Sequence, residues 1–120
     1  MEISRLGAVE QRFADLIWGN APISSGDLVK LCQQELKWKK PTTYTVLRKL
    51  CERGLFQNCD GCVTPMISKE EYTSLQTEKF VEDTFDGSLP AFLAAFTSRK
   101  PLSQKEIVQI QAMIDAYRED

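Results

Sequence analysis

The feature that most constrains how this chain folds is the order of local patterns in its first 66 residues: three amphipathic helical segments and then a tight hairpin. Asp60-Gly61 is a strong two-residue turn signal between two short runs of strand-forming residues, 55–59 and 62–66. Pro65 predicts an edge strand for the second run, because proline lacks the N–H that a central strand needs. Three helices followed by a hairpin is the order of a winged helix-turn-helix.

Apolar residues at helical spacing mark the three helices. The first covers residues 7–18 and is predicted to end at Gly19. The second begins after Ser24, a favourable N-cap residue, and the third begins at Pro41, which suits a first helical turn. Gly54 supplies the left-handed conformation that ends the third helix.

The third helix has the two faces that a DNA-reading helix needs. An apolar stripe predicts burial on one side, formed by Thr43, Val46, Leu47 and Leu50. The opposite side carries threonines, which hydrogen-bond base edges, and cations, which attract phosphates. The residues predicted to contact DNA are Lys39, Lys40, Thr42, Tyr44, Thr45, Arg48 and Lys49. Alternatives stay open for two of them: Thr42 as an ordinary first-turn residue, and Tyr44 packed on Trp38, which is itself expected in the core.

The distribution of charge supports this face more than the net charge of −2 does. Residues 1–65 hold nine Lys/Arg and seven Asp/Glu, whereas residues 66–120 hold six and ten. Six basic residues fall within residues 37–53, against one acid, Glu52. The alternative is that the cluster is a solvated helix face, as most charge clusters are.

Histidine is absent, which excludes Ser/His and Cys/His catalysis and removes most zinc sites. With no Gly-rich phosphate loop either, the chain is predicted not to be an enzyme and to carry no cofactor. The four cysteines are expected to be reduced thiols, and a single CxxC offers too few ligands for a metal site. Cys59 and Cys62 flank the hairpin turn and face each other across it. We hypothesise that they form a redox pair whose oxidation stiffens the hairpin and alters DNA affinity.

The second half, residues 67–120, is predicted to be a three-helix domain behind a DNA-binding domain of residues 1–66. Ser68 and Ser103 each begin a capping box, and Gly87-Ser88 ends one helix and starts the next. Its apolar residues are too many to bury in a half-chain of this size, so a second copy of the chain is the expected partner. The residues predicted at the dimer interface are Tyr72, Leu75, Phe92, Leu93, Phe96, Ile107, Ile110 and Ile114.

No apolar stretch approaches the ~20 residues needed to span a bilayer, so no membrane insertion is predicted. The first five residues lack the basic and apolar regions of a signal peptide. A cytoplasmic location is therefore expected.

Four stretches, in the same order, resemble the penicillinase-repressor family of winged-helix transcriptional regulators (BlaI/MecI/CopY type). Trp38 followed by Pro41–Leu50 resembles the recognition helix of that family, and Leu16-Ile17-Trp18 resembles the end of its first helix. Residues 64–72 are similar to its passage from wing to dimerisation domain. Residues 87–96 and 102–107 are similar to its C-terminal helices. The resemblance covers nearly the whole chain.

This resemblance implies a homodimeric repressor that binds a pseudo-palindromic operator in double-stranded DNA. It also implies derepression when a membrane-bound sensor metalloprotease triggers cleavage before a Phe in the dimerisation domain. The matching bond joins Ala95 to Phe96, with Ala where the family has Asn. The wing is also shorter than in the family, with the acidic Asp60 at its tip, and residues 117–120 lack the Cys-x-Cys pairs of the copper-responsive branch.

Two functions of different classes are compatible with the sequence. One is sequence-specific repression. The other is a winged helix used for protein contact, with weak or no specific DNA binding. The dependence of binding on salt distinguishes these two functions. Affinity for phosphates falls steeply as the salt concentration rises, whereas affinity at an apolar protein interface does not.

Overall fold

A computed structural model describes residues 5–118 of the chain. Residues 1–4, which carry most of the signal-peptide prediction, and residues 119–120, in the C-terminal stretch without Cys-x-Cys pairs, lie outside the described part. The fold is mainly helical with one small antiparallel sheet, as predicted. The elements in chain order are α1 (Ala8–Asn20), β1 (Ile23–Ser24), α2 (Ser25–Glu35), α3 (Lys40–Glu52), β2 (Phe56–Cys59), β3 (Cys62–Pro65), α4 (Lys69–Phe85), α5 (Leu89–Arg99) and α6 (Gln104–Arg118).

Helix α1 continues past its predicted end at Gly19. Asn20 Nδ2 donates a hydrogen bond of 2.8 Å to the carbonyl oxygen of Leu16, one of the last acceptors of the helix. The helix stops at Ala21, whose extended backbone (ψ 146°) is the conformation favoured before Pro22. The proline, rather than the glycine, therefore terminates α1.

Local capping chemistry sets the limits of α2 and α3, as predicted. Ser24 Oγ accepts a hydrogen bond of 3.0 Å from the backbone N–H of Asp27, which satisfies one of the free donors at the start of α2. Helix α3 begins with Pro41 in its first turn. Gly54, just beyond its end, has φ 84°, a conformation that only glycine adopts without strain.

A two-residue turn joins β2 to β3, as predicted. Asp60 and Gly61 have φ values of 52° and 80°, so both adopt the left-handed conformation of a type I′ turn. The turn places Cys59 directly opposite Cys62 across the two strands.

The prediction that β3 is an edge strand is wrong. The sheet order is β1-β3-β2, so β3 lies in the middle. Its partner β1 has only two residues, which pair with Val63 and Cys62. Pro65 lies at the end of β3, beyond those pairs, and its missing N–H therefore interrupts no bond to β1.

The chain forms two compact units, Met1–Glu78 and Lys79–Asp120. In the first unit, the core is formed by side chains of α1, α2, α3 and the sheet. Its large, fully buried apolar residues are Phe13, Ile17, Leu28, Leu50, Leu55, Phe56 and Val63. Trp38, expected in the core, is half-buried and lies against it, with its ring centroid 5.2 Å from that of Phe13.

The first turns of α4 belong to this core. Tyr72 is only 4% exposed, and its ring centroid lies 5.4 Å from that of Trp18. The Tyr72 hydroxyl accepts a hydrogen bond of 3.3 Å from the backbone N–H of Leu6. Trp18 Nε1 donates to the carbonyl oxygen of Ile67 over 3.0 Å. The placement of Tyr72 at a dimer interface is therefore corrected, and the first unit extends beyond residue 66 because these contacts hold α4 to it.

In the second unit, α5 and α6 begin at the predicted caps. Ser88 Oγ accepts from the N–H of Ala91 over 3.1 Å. Ser103 and Glu106 form a complete capping box: Ser103 Oγ accepts from the Glu106 N–H over 3.1 Å, and the Ser103 N–H donates to Glu106 Oε1 over 2.9 Å. No helix within residues 5–118 is long and apolar enough to cross a membrane.

Candidate nucleic-acid interface

Helix α3 is amphipathic in the sense that groove entry requires. Thr43, Leu47 and Leu50 are buried and Val46 is half-buried, so the predicted stripe does face the core. The opposite side of the helix is open to solvent. We call this side the exposed face of α3; together with the residue preceding the helix, it consists of Lys39, Lys40, Thr42, Thr45, Arg48 and Lys49.

Within the described residues, the cations of the exposed face are not neutralised. No carboxylate among residues 5–118 forms an ion pair with Lys39, Lys40, Arg48 or Lys49. Four positive side chains, one just before the helix and three on it, produce a positive field on this side of the unit. Such a field favours polyanions, and its strength falls as salt screens it.

Thr45 lies in the middle of the exposed face. Its Oγ1 donates a hydrogen bond of 2.9 Å to the carbonyl oxygen of Pro41, one turn earlier in α3. This bond uses the only hydroxyl proton, so Thr45 offers a ligand its oxygen lone pairs and its methyl group. The methyl group is the kind of surface that contacts the thymine methyl in a major groove.

Tyr44, grouped with the DNA-contacting residues from the sequence, occupies a different position. It is half-buried, and its hydroxyl donates a hydrogen bond of 3.2 Å to Ser25 Oγ at the start of α2. Tyr44 therefore connects α3 to α2, and its hydroxyl proton is already used. The residue thus contributes to the position of α3 within the motif.

Sequence reasoning missed two residues that shape this motif. Ser25 accepts the Tyr44 bond and also donates its backbone N–H to the carbonyl oxygen of Gly61 over 2.8 Å. Lys37, in the connection from α2 to α3, has φ 59°, a left-handed conformation unusual for a residue with a side chain. No local pattern distinguishes Ser25 from a simple cap residue, and a lysine at position 37 gives no indication of a left-handed backbone.

One residue of the basic cluster faces elsewhere. The Arg53 guanidinium lies 3.9 Å from Glu10 Oε2 and donates to the carbonyl oxygen of Arg5 over 3.5 Å. Its charge therefore helps to fix α1 against the end of α3. The positive field of the exposed face comes from Lys39, just before α3, and from three cations of the helix: Lys40, Arg48 and Lys49.

The hairpin brings two thiols together. Cys59 and Cys62 are both free, exposed and paired across the strands. Cys32 and Cys51 are less accessible, and burial raises the pKa of each thiol. Among residues 5–118, no cluster of three or more Cys, Asp or Glu side chains is arranged to hold a metal ion.

The apolar residues predicted at a dimer interface, other than Tyr72, are accessible. Neither α5 nor α6 contains a buried residue. Phe92 and Ile110 are half-buried, and the others are exposed: Leu75, Leu93, Phe96, Ile107 and Ile114. Ala95, at the predicted cleavage bond, is exposed on α5.

Comparison with known proteins agrees with this architecture. The sequence model of a family described as penicillinase repressor matches residues 6–116. The penicillinase repressor of Bacillus licheniformis is 22% identical over 121 residues, which cover 98% of this chain and 94% of that protein. The methicillin resistance regulatory protein MecI of Staphylococcus aureus is 19% identical over 114 residues, covering 92% of this chain and 93% of that protein.

Proposed function

The chain belongs to the penicillinase repressor family, and from that premise we propose that it is a homodimeric transcriptional repressor that binds a pseudo-palindromic operator through α3. The observation that carries this proposal is the exposed face of α3, which combines threonines with unpaired cations opposite a buried stripe. The names of two of its relatives, a repressor and a resistance regulator, support the same role.

We propose distinct tasks for the residues of the exposed face. Lys39 and Lys40 lie at the start of α3, where the helix N-terminus also favours phosphate. Thr42 and Thr45 are short enough to let the helix backbone approach base edges. Arg48 and Lys49 extend further and reach guanine edges or phosphates. Phosphate contacts position the helix, and the threonines with Arg48 provide sequence discrimination.

A second copy of the chain supplies the second recognition helix that a pseudo-palindrome requires. Support for dimerisation comes from the apolar side chains that α5 and α6 leave exposed, among them Leu93, Phe96, Ile107 and Ile114. Large apolar side chains left exposed in such number are characteristic of protein interfaces. The acidic second half also fits this arrangement, since it does not compete for DNA.

The test is to select fragments of source-organism DNA on the immobilised full-length protein, and then to titrate the best fragment at several salt concentrations. Repressor function predicts tight binding to one fragment and a steep loss of affinity with salt. A protein-interaction module instead predicts no preferred fragment and salt-insensitive association with its partner. Failure to enrich any fragment would contradict the proposal.

The finer part of the proposal is release of repression by cleavage between Ala95 and Phe96, triggered by a membrane sensor protease. In the single chain both residues are exposed and α5 has no buried side chain, so local opening of this helix costs little where the second copy does not cover it. The test is mass spectrometry of the protein recovered from its own cells before and after repression is lifted. A fragment beginning at Phe96 supports cleavage, whereas an intact chain under derepressing conditions contradicts it.

A further inference from the structure

The Cys59–Cys62 pair lies at the point where the hairpin meets the helix-turn-helix. Cys62 is in the middle strand, opposite Cys59 on one side and Ser24 on the other. Ser24 is the N-cap of α2, since its Oγ accepts from the Asp27 N–H over 3.0 Å. A displacement of the backbone at Cys62 therefore acts directly on the start of α2.

The turn between the two thiols is also bonded to the recognition helix through one intermediate residue. The carbonyl oxygen of Gly61 accepts the Ser25 N–H over 2.8 Å, and Ser25 Oγ accepts the Tyr44 hydroxyl over 3.2 Å. Tyr44 is part of α3. A displacement of the turn is thus transmitted by two hydrogen bonds to the helix that carries the exposed face.

We propose that Cys59 and Cys62 are a site of reversible oxidation, and that the disulfide lowers the affinity of the repressor for its operator. The oxidant class is a peroxide. The thiolate of one cysteine attacks a peroxide oxygen, which gives a sulfenic acid and releases one water after protonation. The second thiol displaces the hydroxyl of the sulfenic acid, which forms the S–S bond and releases a second water. Two thiols are oxidised, and one hydrogen peroxide is reduced to two waters.

Geometry explains why the disulfide forms and why it disturbs the hairpin. Residues that flank a two-residue turn have Cα atoms about 5.5 Å apart, within the range that a disulfide spans. Their Cβ atoms are about 4.5–5.5 Å apart, whereas a disulfide needs about 3.5–4.5 Å. Closing the bond pulls the strands together and changes their twist, which moves Gly61 relative to Ser25 and Cys62 relative to Ser24. Both thiols are exposed, so peroxide reaches them.

The proposal rests on the proposed function, and the experiment keeps the two apart. Reduced and peroxide-treated full-length protein are compared in mass, in free thiol count and in affinity for the selected DNA fragment. We expect oxidation to remove two thiols from each chain without linking separate chains, and to weaken binding about three- to tenfold, the equivalent of losing one ordinary hydrogen bond. A thiol reductant restores both values. Absence of DNA binding by the reduced protein would sink the proposed function, while the thiol count still reports on the pair.

Single cysteine variants identify which sulfur atoms are needed for the response to peroxide. Cys59→Ser and Cys62→Ser are expected to bind DNA like the reduced protein and to lose the response to peroxide. Cys51→Ser, which removes a thiol outside the hairpin, is expected to keep the response. The proposal is overturned if peroxide links separate chains, if no disulfide forms between the pair, or if the disulfide forms and affinity stays the same.

Discussion

The hydroxyl of Tyr44 on α3 donates a hydrogen bond to the hydroxyl of Ser25 at the start of α2, over 3.2 Å. This bond joins the two helices of the motif close to the hairpin, because the Ser25 N–H also donates to Gly61. The position of α3 therefore depends on a polar contact as well as on the apolar core beneath it.

Removing this contact should destabilise the fold modestly. Tyr44→Phe is expected to lower the free energy of unfolding by about 0.5–1.5 kcal/mol, since one part-buried hydrogen bond is lost. Ser25→Ala should have a similar effect, and the double variant should be less destabilised than the sum of the two. Urea unfolding at one fixed protein concentration measures all three. Tyr117→Phe is the control, because Tyr117 is 84% exposed, and additive effects at Tyr44 and Ser25 would contradict the contact.

The exposed face of α3 should divide into residues that attract DNA and residues that discriminate sequence. Lys39→Ala is expected to weaken binding to all DNA sequences and to reduce the salt slope by about one, because one phosphate contact is lost. Lys105→Ala, an exposed lysine on α6, provides the matched control and should leave the slope unchanged. Gel-shift titration at four salt concentrations measures both.

Thr45→Ala tests the discriminating role. The change removes the hydroxyl oxygen and one methyl group without altering charge, so the salt slope should not change. Affinity for the best fragment should fall, by about 1–3 kcal/mol if Thr45 contacts a base, while affinity for unrelated DNA stays constant. Equal losses on both kinds of DNA would assign Thr45 to the phosphate backbone instead.

The parts of the fold that local chemistry determines were predictable from sequence. The Ser24 cap, the Asp60-Gly61 turn and the buried stripe of α3 depend on residues within a few positions of one another. The strand β1 was missed because its two residues, Ile23 and Ser24, are too few to show a periodic pattern. Only their pairing with Val63 and Cys62 makes them a strand.

Long-range contacts explain the remaining differences. Tyr72 has the local pattern of a helix-start residue, and nothing near it in sequence shows that it packs on Trp18 or accepts from the N–H of Leu6. Tyr44 was likewise grouped with the DNA-contacting residues from its place on the helix, because its partner Ser25 lies on another helix.

Thr43 is a buried polar residue that should be replaceable by a hydrocarbon. Its side chain is 1% exposed, and its hydroxyl has no hydrogen-bond partner of ordinary geometry among residues 5–118. The Cys32 thiol lies close enough for a weak interaction, which lowers the pKa of that thiol against the larger, raising effect of burial. Thr43→Val should therefore stabilise the protein by about 1 kcal/mol, because an unpaired buried hydroxyl is costly and valine has nearly the same shape.

Urea unfolding measures the effect of Thr43→Val on the free energy of unfolding. Thr42→Val, on the exposed face of the same helix, is the matched control and should change stability little. Destabilisation by Thr43→Val would show that the contact with Cys32 is a genuine hydrogen bond.

The capping box of α6 should make this helix sensitive to acid. Hydrogen bonds from Ser103 stabilise the charged form and hold the pKa of the Glu106 carboxyl below its ordinary value. A carboxyl whose pKa is lower in the folded state contributes stability above its unfolded pKa and loses it as pH falls through the folded pKa. Carboxyl NMR titration of the full chain should show the pKa of Glu106 below the ordinary value of a glutamate side chain. Ser103→Ala removes the side-chain hydrogen bond but keeps the backbone N–H that donates to Glu106 Oε1, so it should raise the pKa of Glu106 only in part. A Glu106 pKa at the ordinary value in the unchanged protein would contradict the box.

Dimerisation should depend on the exposed apolar side chains of α6. Ile114 is 47% exposed, so Ile114→Glu should leave the folding of the single chain intact. If Ile114 is buried against a second copy, the new carboxylate loses its hydration without gaining a partner, which costs several kcal/mol. We expect the dissociation constant of the dimer, measured by analytical ultracentrifugation, to rise at least about tenfold, equivalent to 1.4 kcal/mol. Gln109→Glu adds the same charge at an exposed polar position of α6 and is the control. A dimer that tolerates Ile114→Glu would place the interface on another surface, whereas a monomer that binds only half of the selected operator would connect this face directly to repression.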